Sequence, residues 1–294
     1  MRILALTDLS ECSCAGLALA EVLARRFHGK VTVGHVHTRA ESLKALGGDE
    51  ENTRRLVDWA RTDDEEHLGR LVRRYVEKLR VEATETVERP SARDGVAELV
   101  ARTQPDFVCM ATHGRTGFKH MLLGSIAEHT IRTARVPVVV TKGSSMPSLD
   151  DPLRVMLTLD LLDEPDRLVR LVSGILQPTD ILLLAHVVES SYYSPAAYGT
   201  DFALPQPDVP RLQEAAQKRL ERIDPGPGAP RIEVKVGVGR PGEGLLGIER
   251  SWQPHVVVAK THGRRGFDRM MLGSVSEFLA RRCQAAVLVY PKID

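Results

Sequence analysis

Short apolar runs alternate with longer amphipathic segments throughout the chain. In the first half the apolar runs predict strands at residues 3–7, 31–36, 81–87, 106–111 and 136–141. Between them the pattern predicts helices, including a long charged one at about 53–79 with an inner face of Leu56, Trp59, Leu68, Leu71, Val72 and Tyr75. Strands that are apolar without alternation, and that are separated by helices, indicate βαβ units and a parallel sheet.

The same order of elements occurs again in the second half. There the pattern predicts a helix near 211–223 and strands at 155–159, 181–188, 232–238, 255–260 and 285–291. Residues 143–152 are small, polar and contain proline, which is typical of a linker. We therefore expect a first domain at 1–143, a linker at 144–151 and a second domain at 152–294.

One stretch is shared by both halves. Residues 112–128 read THGRTGFKHMLLGSIAE and residues 261–277 read THGRRGFDRMMLGSVSE, with 11 of 17 positions identical. Each copy lies between a predicted strand and a predicted helix. A repeat of about half the chain indicates a duplicated domain, since a solenoid would repeat every 20–50 residues or so.

Composition excludes several classes of protein. A net charge of +1 gives no basic field for nucleic acid or an anionic membrane, and 4% aromatic residues argue against base stacking. The four cysteines form no disulfide framework, and Cys12 and Cys14 lack a following pair at zinc spacing, so we expect no metal site. Without a cleavable signal pattern or an apolar run near the ~18 residues of a membrane span, we expect a cytoplasmic protein.

The shared stretch is rich in glycine, which permits positive φ and close backbone approach. Its glycines are Gly114, Gly117 and Gly124 in one copy and Gly263, Gly266 and Gly273 in the other. The last glycine precedes Ser125 or Ser274, each at the start of a helix, where unpaired N–H groups favour an anion and above all phosphate. Each serine also forms a possible capping box with Glu128 or Glu277, which needs no ligand. Both interpretations stay open.

An aspartate follows the first strand of each half, Asp8 and Asp160. If strands one and four are neighbours, Asp8 faces the glycine loop across a crevice at the carboxyl ends of the strands, where open α/β sheets bind ligands. A carboxylate there suits ribose hydroxyls. The alternative is a local one, an Asx turn or cap for the next helix, in which Ser10 is a further cap candidate.

Together these motifs resemble the universal stress protein family in both halves, from end to end. The family signature is a glycine, two residues, a glycine, nine residues, then a glycine and Ser or Thr. The corresponding residues are Ala111, Gly114, Gly124 and Ser125 in the first half and Lys260, Gly263, Gly273 and Ser274 in the second. An Asp after strand one, an HV pair in strand two and an HGR before the loop fit the family as well.

The resemblance implies two tandem Rossmann-like α/β domains of the HUP class. Each would have a five-stranded parallel sheet of order 3-2-1-4-5 flanked by helices. It implies pairing through the fifth strands, in a homodimer or an intramolecular pseudo-dimer. It also implies that the crevice binds an adenine nucleotide, ATP, ADP or AMP, with or without Mg²⁺.

The resemblance carries site roles to particular residues. The Asp holds ribose or adenine, the residue after the strand-two His lies by adenine, and the glycines, the Ser and the next residue hold phosphates; a loop arginine either meets phosphate or stays solvated. The first-half residues are Asp8, Val36, Met110, Ala111, Gly114, Arg115, Gly124, Ser125 and Ile126. The second-half residues are Asp160, Val187, Lys260, Gly263, Gly273, Ser274 and Val275.

The first signature glycine is absent from both copies. Ala111 adds one methyl group, whereas the side chain of Lys260 either pairs with phosphate or fills the pocket. Because bulk at a close-approach position obstructs a ligand, we expect the first domain to bind nucleotide in preference to the second.

Three functions are considered. The first is a nucleotide-binding stress or signalling protein without efficient chemistry, in which His113 and His262 orient the loop or act as a base in slow hydrolysis. The second is an interaction or structural module with empty pockets that works through dimerisation. The third, an adenylating enzyme of the HUP class, needs an HIGH-like or SGGxDS-like stretch, and neither occurs. A loop at 190–210 with three tyrosines, Tyr192, Tyr193 and Tyr198, suits either a partner contact or packing on its own domain.

Overall fold

The structure, a computed structural model, divides into two compact units, Met1–Leu149 and Asp150–Asp294. It describes residues 1–38, 50–76, 81–89, 91–112, 123–143, 151–162, 164–189, 208–261 and 273–291, with the backbone alone at 71–76, 81–85 and 88.

The first unit alternates strands and helices as the pattern predicts. In chain order its elements are β1 (Arg2–Thr7), α1 (Cys14–Arg26), β2 (Lys30–His37), α2 (Glu50–Val76), β3 (Val81–Glu88), α3 (Ala92–Thr103), β4 (Phe107–Ala111), α4 (Ser125–Thr133) and β5 (Val138–Thr141). All paired strands are parallel and lie in the order β3-β2-β1-β4-β5. This is the order that the resemblance implied.

The second unit repeats this arrangement. Its elements are β6 (Arg154–Thr158), α5 (Pro165–Ser173), β7 (Ile181–Glu189), α6 (Val209–Glu221), β8 (Arg231–Gly239), α7 (Pro241–Trp252), β9 (Val256–Lys260), α8 (Ser274–Arg282) and β10 (Ala286–Tyr290). The strands pair in parallel in the order β8-β7-β6-β9-β10. In both units the predicted strands end within two residues of the observed ones.

The central strands are buried because helices cover both faces of a parallel sheet. Leu4 on β1, Cys109 on β4 and Leu157 on β6 are all fully buried. Burial raises the pKa of the Cys109 thiol to about 12, so this cysteine is a protonated core residue. The apolar runs of the sequence therefore form the centre of each core.

The buried face of α2 differs from the predicted one. Leu56 is 50% exposed and Trp59 is 56% exposed, so their expected place on the inner face is wrong. The helix instead buries residues spaced at intervals of three or four, namely Val57, Ala60, Asp64 and Leu68. The prediction placed the largest apolar side chains on the inner face. The true buried stripe includes the carboxylate of Asp64, so it does not look apolar in the sequence. The side chains of Leu71, Val72 and Tyr75 lie outside the described part of the chain.

Candidate functional site

The carboxyl ends of the first and fourth strands lie side by side in each unit. β1 pairs with β4 through Ala5 and Cys109, and β6 pairs with β9 through Leu157 and Val258. The strands are parallel, so their carboxyl ends reach the same edge of the sheet. Asp8 lies one residue beyond the end of β1. The neighbouring strands that the crevice requires are therefore confirmed.

The aspartate after the first strand forms a local turn in both units. Oδ1 of Asp8 accepts hydrogen bonds from the amide of Ser10 at 3.0 Å and from its hydroxyl at 2.5 Å. In the second unit, Oδ1 of Asp160 accepts a bond from the amide of Leu162 at 3.0 Å. The Asx-turn alternative is thus observed, and it holds a half-buried carboxylate at the edge of each crevice.

The strand-two histidine ties its strand to the end of the first strand. Nδ1 of His35 lies 2.9 Å from the carbonyl oxygen of Thr7, and Nδ1 of His186 lies 2.8 Å from that of Leu159. A carbonyl only accepts hydrogen bonds, so Nδ1 carries the proton in both rings. The shared HV pair is therefore explained first by the fold.

The valine after that histidine points to the opposite face of the sheet. A Cβ at Gly95 of α3 would overlap the side chain of Val36, and a Cβ at Gly244 of α7 would lie 2.8 Å from Cγ2 of Val187. Both valine side chains thus pack against a helix. Any contact that these residues make with adenine would have to involve the backbone or the rim of the side chain.

The helix after the fourth strand begins with a glycine in each unit. Gly124 is the N-cap of α4 and Gly273 the N-cap of α8, and among the described residues neither helix has a side-chain hydrogen bond at its cap. Ser125 and Ser274 are exposed first residues of the helices. In contrast, α3 is capped by the hydroxyl of Ser91, which accepts from the amide of Arg93 at 3.2 Å.

The capping boxes considered from the sequence are not formed. A box requires the serine to stand at the N-cap, whereas here the glycine before it does. The carboxylates instead form ion pairs one helical turn further along, Glu128 with Arg132 at 2.7 Å and Glu277 with Arg281 at 2.8 Å. The capping-box interpretation of this stretch is therefore wrong in both units.

These cap glycines are required for close approach and not for positive φ. Gly124 has φ −60° and Gly273 also has φ −60°. A Cβ at Gly124 would lie 2.7 Å from the carbonyl oxygen of Thr112, and a Cβ at Gly273 would lie 2.6 Å from that of Thr261. Any residue adopts this backbone conformation, so of the two properties that glycine permits, close approach is the one used at both caps.

The residues at the first signature position end their strands. Ala111 is the last residue of β4, and a Cβ at Gly16 of α1 would lie 2.9 Å from its amide nitrogen, so α1 packs closely on the Met110–Ala111 backbone. Lys260 is the last residue of β9, and its carbonyl accepts a hydrogen bond from the buried hydroxyl of Ser276. Both positions lie at the carboxyl edge of the sheet.

The rest of the predicted phosphate loop lies outside the described residues. This applies to Gly114, Gly117, Arg115 and His113, and in the second unit to Gly263, Gly266, Arg264 and His262. It applies also to Tyr192, Tyr193 and Tyr198. Their roles stay predictions.

Two features were missed from the sequence. The carbonyls of Thr112 and Thr261 receive the amides of the cap glycines at 2.8 and 2.5 Å, which fixes each helix start against the end of its strand. His37 and Asp64 form a buried contact of 3.3 Å. The sequence signal for the contact of His37 with Asp64 was the charged Asp64 in line with the buried residues of α2, together with the HVH sequence at the end of β2.

A shallow cavity of about 170 Å³ lies at the opposite edge of the first unit. Arg2, Lys30 and Arg102 contribute to its lining. Ligands of open α/β sheets bind at the carboxyl ends of the strands, and this cavity lies at the amino ends. We assign it no role.

Comparison with known proteins decides the family. The Universal stress protein family matches residues 1–142 and again residues 153–291. The chain belongs to the universal stress protein family. A curated family member, universal stress protein MJ0531 of Methanocaldococcus jannaschii, is 28% identical over 137 residues, which is 46% of this chain and 78% of the relative.

Solved structures share the fold over the whole chain. A universal stress protein from Archaeoglobus fulgidus is 21% identical with a TM-score of 0.62, and the match covers 100% of this chain and 97% of that one. The functionally unknown protein PA1789 from Pseudomonas aeruginosa is 15% identical with a TM-score of 0.63, over 99% of this chain and 92% of that one. A universal stress protein has also been solved in complex with cAMP; at 20% identity and a TM-score of 0.32 over 48% of this chain, that complex describes that protein alone. In the part of the chain that the structure describes, no helix is long and apolar enough to cross a membrane.

Proposed function

We propose that the first unit binds an adenine nucleotide, ATP, ADP or AMP, in the crevice between the carboxyl ends of β1 and β4. The protein uses this site as a sensor or signalling module in a stress response. The observation that carries the proposal is the start of α4 beside the end of the fourth strand, which has a glycine N-cap and, within the described part of the chain, no side-chain cap. Such a helix start attracts phosphate through its N–H groups and its partial positive charge.

Each group has a role in this proposal. The phosphates lie against the helix start at Gly124, Ser125 and Ile126, where the exposed Ser125 hydroxyl adds a donor. The carboxylate of Asp8 accepts hydrogen bonds from the ribose hydroxyls, and its turn with Ser10 holds it in place. Mg²⁺ would accompany ATP chiefly through the phosphates and water.

The second unit offers the same helix start at Gly273, Ser274 and Val275, with Asp160 at the edge of its crevice. We propose that it binds nucleotide less well. The difference is Lys260, which stands where the first unit has Ala111. A long side chain at that place occupies room that a phosphate needs, unless its ammonium group pairs with the phosphate.

An interaction module is the alternative function. It would work through pairing of the fifth strands, as a homodimer or an intramolecular pseudo-dimer, with both crevices empty. Two observations favour it: Asp8 and Asp160 already serve Asx turns, and neither copy has a glycine at the first signature position. In either function, slow ATP hydrolysis is the most that we expect of the protein as a catalyst.

Thermal unfolding of the full chain with ATP, with and without Mg²⁺, separates the two functions. A ligand that binds only the native state stabilises it by about 2.7 kcal/mol at a hundredfold excess over its dissociation constant. Nucleotide binding predicts a rise in the unfolding temperature with ATP that an equal concentration of adenosine does not give. An unchanged unfolding temperature at millimolar ATP would favour the interaction module.

A further inference from the structure

We propose that His35, His37 and Asp64 form a divalent metal site in the first unit, with Zn²⁺ as the ion that fits best. All three side chains are buried, and their ligand atoms lie within 4.8 Å of one another. The two histidines are separated by one residue of β2, so their rings project from the same face of the sheet. The carboxylate comes from the buried stripe of α2.

The spacing of these atoms suits a metal ion. Oδ2 of Asp64 lies 3.3 Å from Nδ1 of His37 and 3.9 Å from Nε2 of His35. Two ligands that are each about 2.1 Å from zinc are about 3.4 Å apart in a tetrahedral site. The rings stand perpendicular, with centroids 4.9 Å apart. Small side-chain rotations are therefore enough to bring three ligand atoms around one ion.

The hydrogen bond of His35 sets its ring for ligation. Nδ1 donates to the Thr7 carbonyl, so Nε2 carries the lone pair, and this nitrogen is the one that faces Asp64. Proteins orient metal-ligating histidines in this way, with the second ring nitrogen bonded to a carbonyl or carboxylate. Nδ1 of His37, which lies 3.3 Å from Oδ2 of Asp64, is the nitrogen that this arrangement offers to the ion.

The duplicated unit shows which parts of the cluster the fold itself requires. His186 makes the same carbonyl bond as His35, but Val188 stands where the first unit has His37. The fold therefore accepts valine at this place. In the first unit this position is instead His37, a second buried histidine, which lies beside the buried carboxylate of Asp64. A cation between them would offset the cost of burying the Asp64 charge and would tie α2 to β2.

The donor set limits the kind of ion. Two imidazole nitrogens with one carboxylate suit Zn²⁺, Co²⁺, Ni²⁺ or Cu²⁺, whereas Mg²⁺ and Ca²⁺ take mainly oxygen ligands. Three protein ligands leave the fourth position of a tetrahedral ion to water. The inference is independent of nucleotide binding, because it concerns the α2 side of β2.

Metal titration of the full chain, first stripped with a chelator, tests the site. We expect one Zn²⁺ per chain by calorimetry, and a Co²⁺ absorption spectrum typical of a tetrahedral mixed nitrogen and oxygen site. His37→Val copies the second unit and should weaken binding by well over tenfold, since loss of even an outer hydrogen-bond partner costs about 10–100-fold. His35→Gln and His186→Gln are a matched pair that lose the same carbonyl bond, and only the first should lose the metal.

Several results would overturn the site. One is a folded, stripped wild-type chain that takes up no Zn²⁺, which would leave the cluster as a hydrogen-bonded pair alone. Another is a His37→Val variant that binds Zn²⁺ as tightly as the wild type. A third is a double Cys12→Ser, Cys14→Ser variant that loses binding while His37→Val keeps it, because the exposed Cys12 and its neighbour would then be the ligands. Circular dichroism of each variant confirms that it is folded.

Discussion

The amide of Gly124 donates a hydrogen bond of 2.8 Å to the carbonyl of Thr112, so the cap of α4 is fixed against the end of β4. A methyl group at Gly124 would lie 2.7 Å from the same carbonyl oxygen. The position of the proposed phosphate site therefore depends on a contact for which only glycine has room. This contact has a direct consequence for stability.

We predict that Gly124→Ala destabilises the first unit by about 1–3 kcal/mol, the usual cost of overpacking. The backbone of Gly124 has φ −60°, so steric overlap is the sole cause. Urea unfolding measures the change. Gly247→Ala is the control: a Cβ there meets nothing within 4 Å, and alanine inside a helix is favoured over glycine by about 0.5–1 kcal/mol. A Gly124→Ala protein as stable as the wild type would contradict the packing.

The carboxylate of Asp8 is expected to recognise ribose. Asp8→Asn keeps an oxygen that can accept the Ser10 amide, so the turn survives while the charge is lost. Binding of ATP and AMP should weaken by roughly tenfold or more, since a hydrogen bond to a charged group contributes about 1.5–3 kcal/mol. Inorganic phosphate should bind as before, and Asp160→Asn should have little effect on the tighter site. Equal weakening of phosphate and nucleotide would show that Asp8 only supports the loop.

The thiol of Cys109 should make stability fall at alkaline pH. Burial raises its pKa from 9.0 in the unfolded chain to about 12 in the folded protein. The folded state thus binds more protons between these values, and its stability is present below pH 9 and lost as pH rises through this window. The free energy of unfolding of the wild type should fall more steeply above pH 9 than that of Cys109→Ala, by at most about 1.4 kcal/mol per pH unit. Parallel pH profiles for the two proteins would refute the prediction.

The sheet and the crevice could be read from the sequence for a physical reason. Strands buried on both faces must be apolar along their length, so runs such as those of β1 and β4 stand out from the helices. Alternation with helices then requires parallel crossovers, and this brings Asp8 and Gly124 to one edge. The resemblance added the order of the strands.

Three details could not be read in this way. The buried stripe of α2 contains Asp64, and a rule that counts apolar residues moves the face to Leu56 and Trp59. The predicted capping box is absent because Gly124, whose amide donates to the Thr112 carbonyl, is the N-cap, and Ser125 is the first residue of the helix. The contact of His37 with Asp64 joins distant parts of the chain, and no local pattern encodes such a distance.

The central claim is that the first unit binds the phosphates of an adenine nucleotide at the start of α4. Ser125→Pro tests it most directly. Proline is well tolerated at the first helical position, and Gly124 before it already has the extended conformation that proline requires. The substitution removes one N–H group and one hydroxyl. Ser274→Pro makes the same change in the second unit, where the cap glycine has a matching conformation.

Isothermal titration calorimetry of the full chain with ATP, ADP and AMP is the measurement. The account predicts binding to the wild type, strong weakening in Ser125→Pro and nearly unchanged affinity in Ser274→Pro. The account would be contradicted if the wild type gave no binding signal with any of the three nucleotides, or if Ser125→Pro bound them with wild-type affinity.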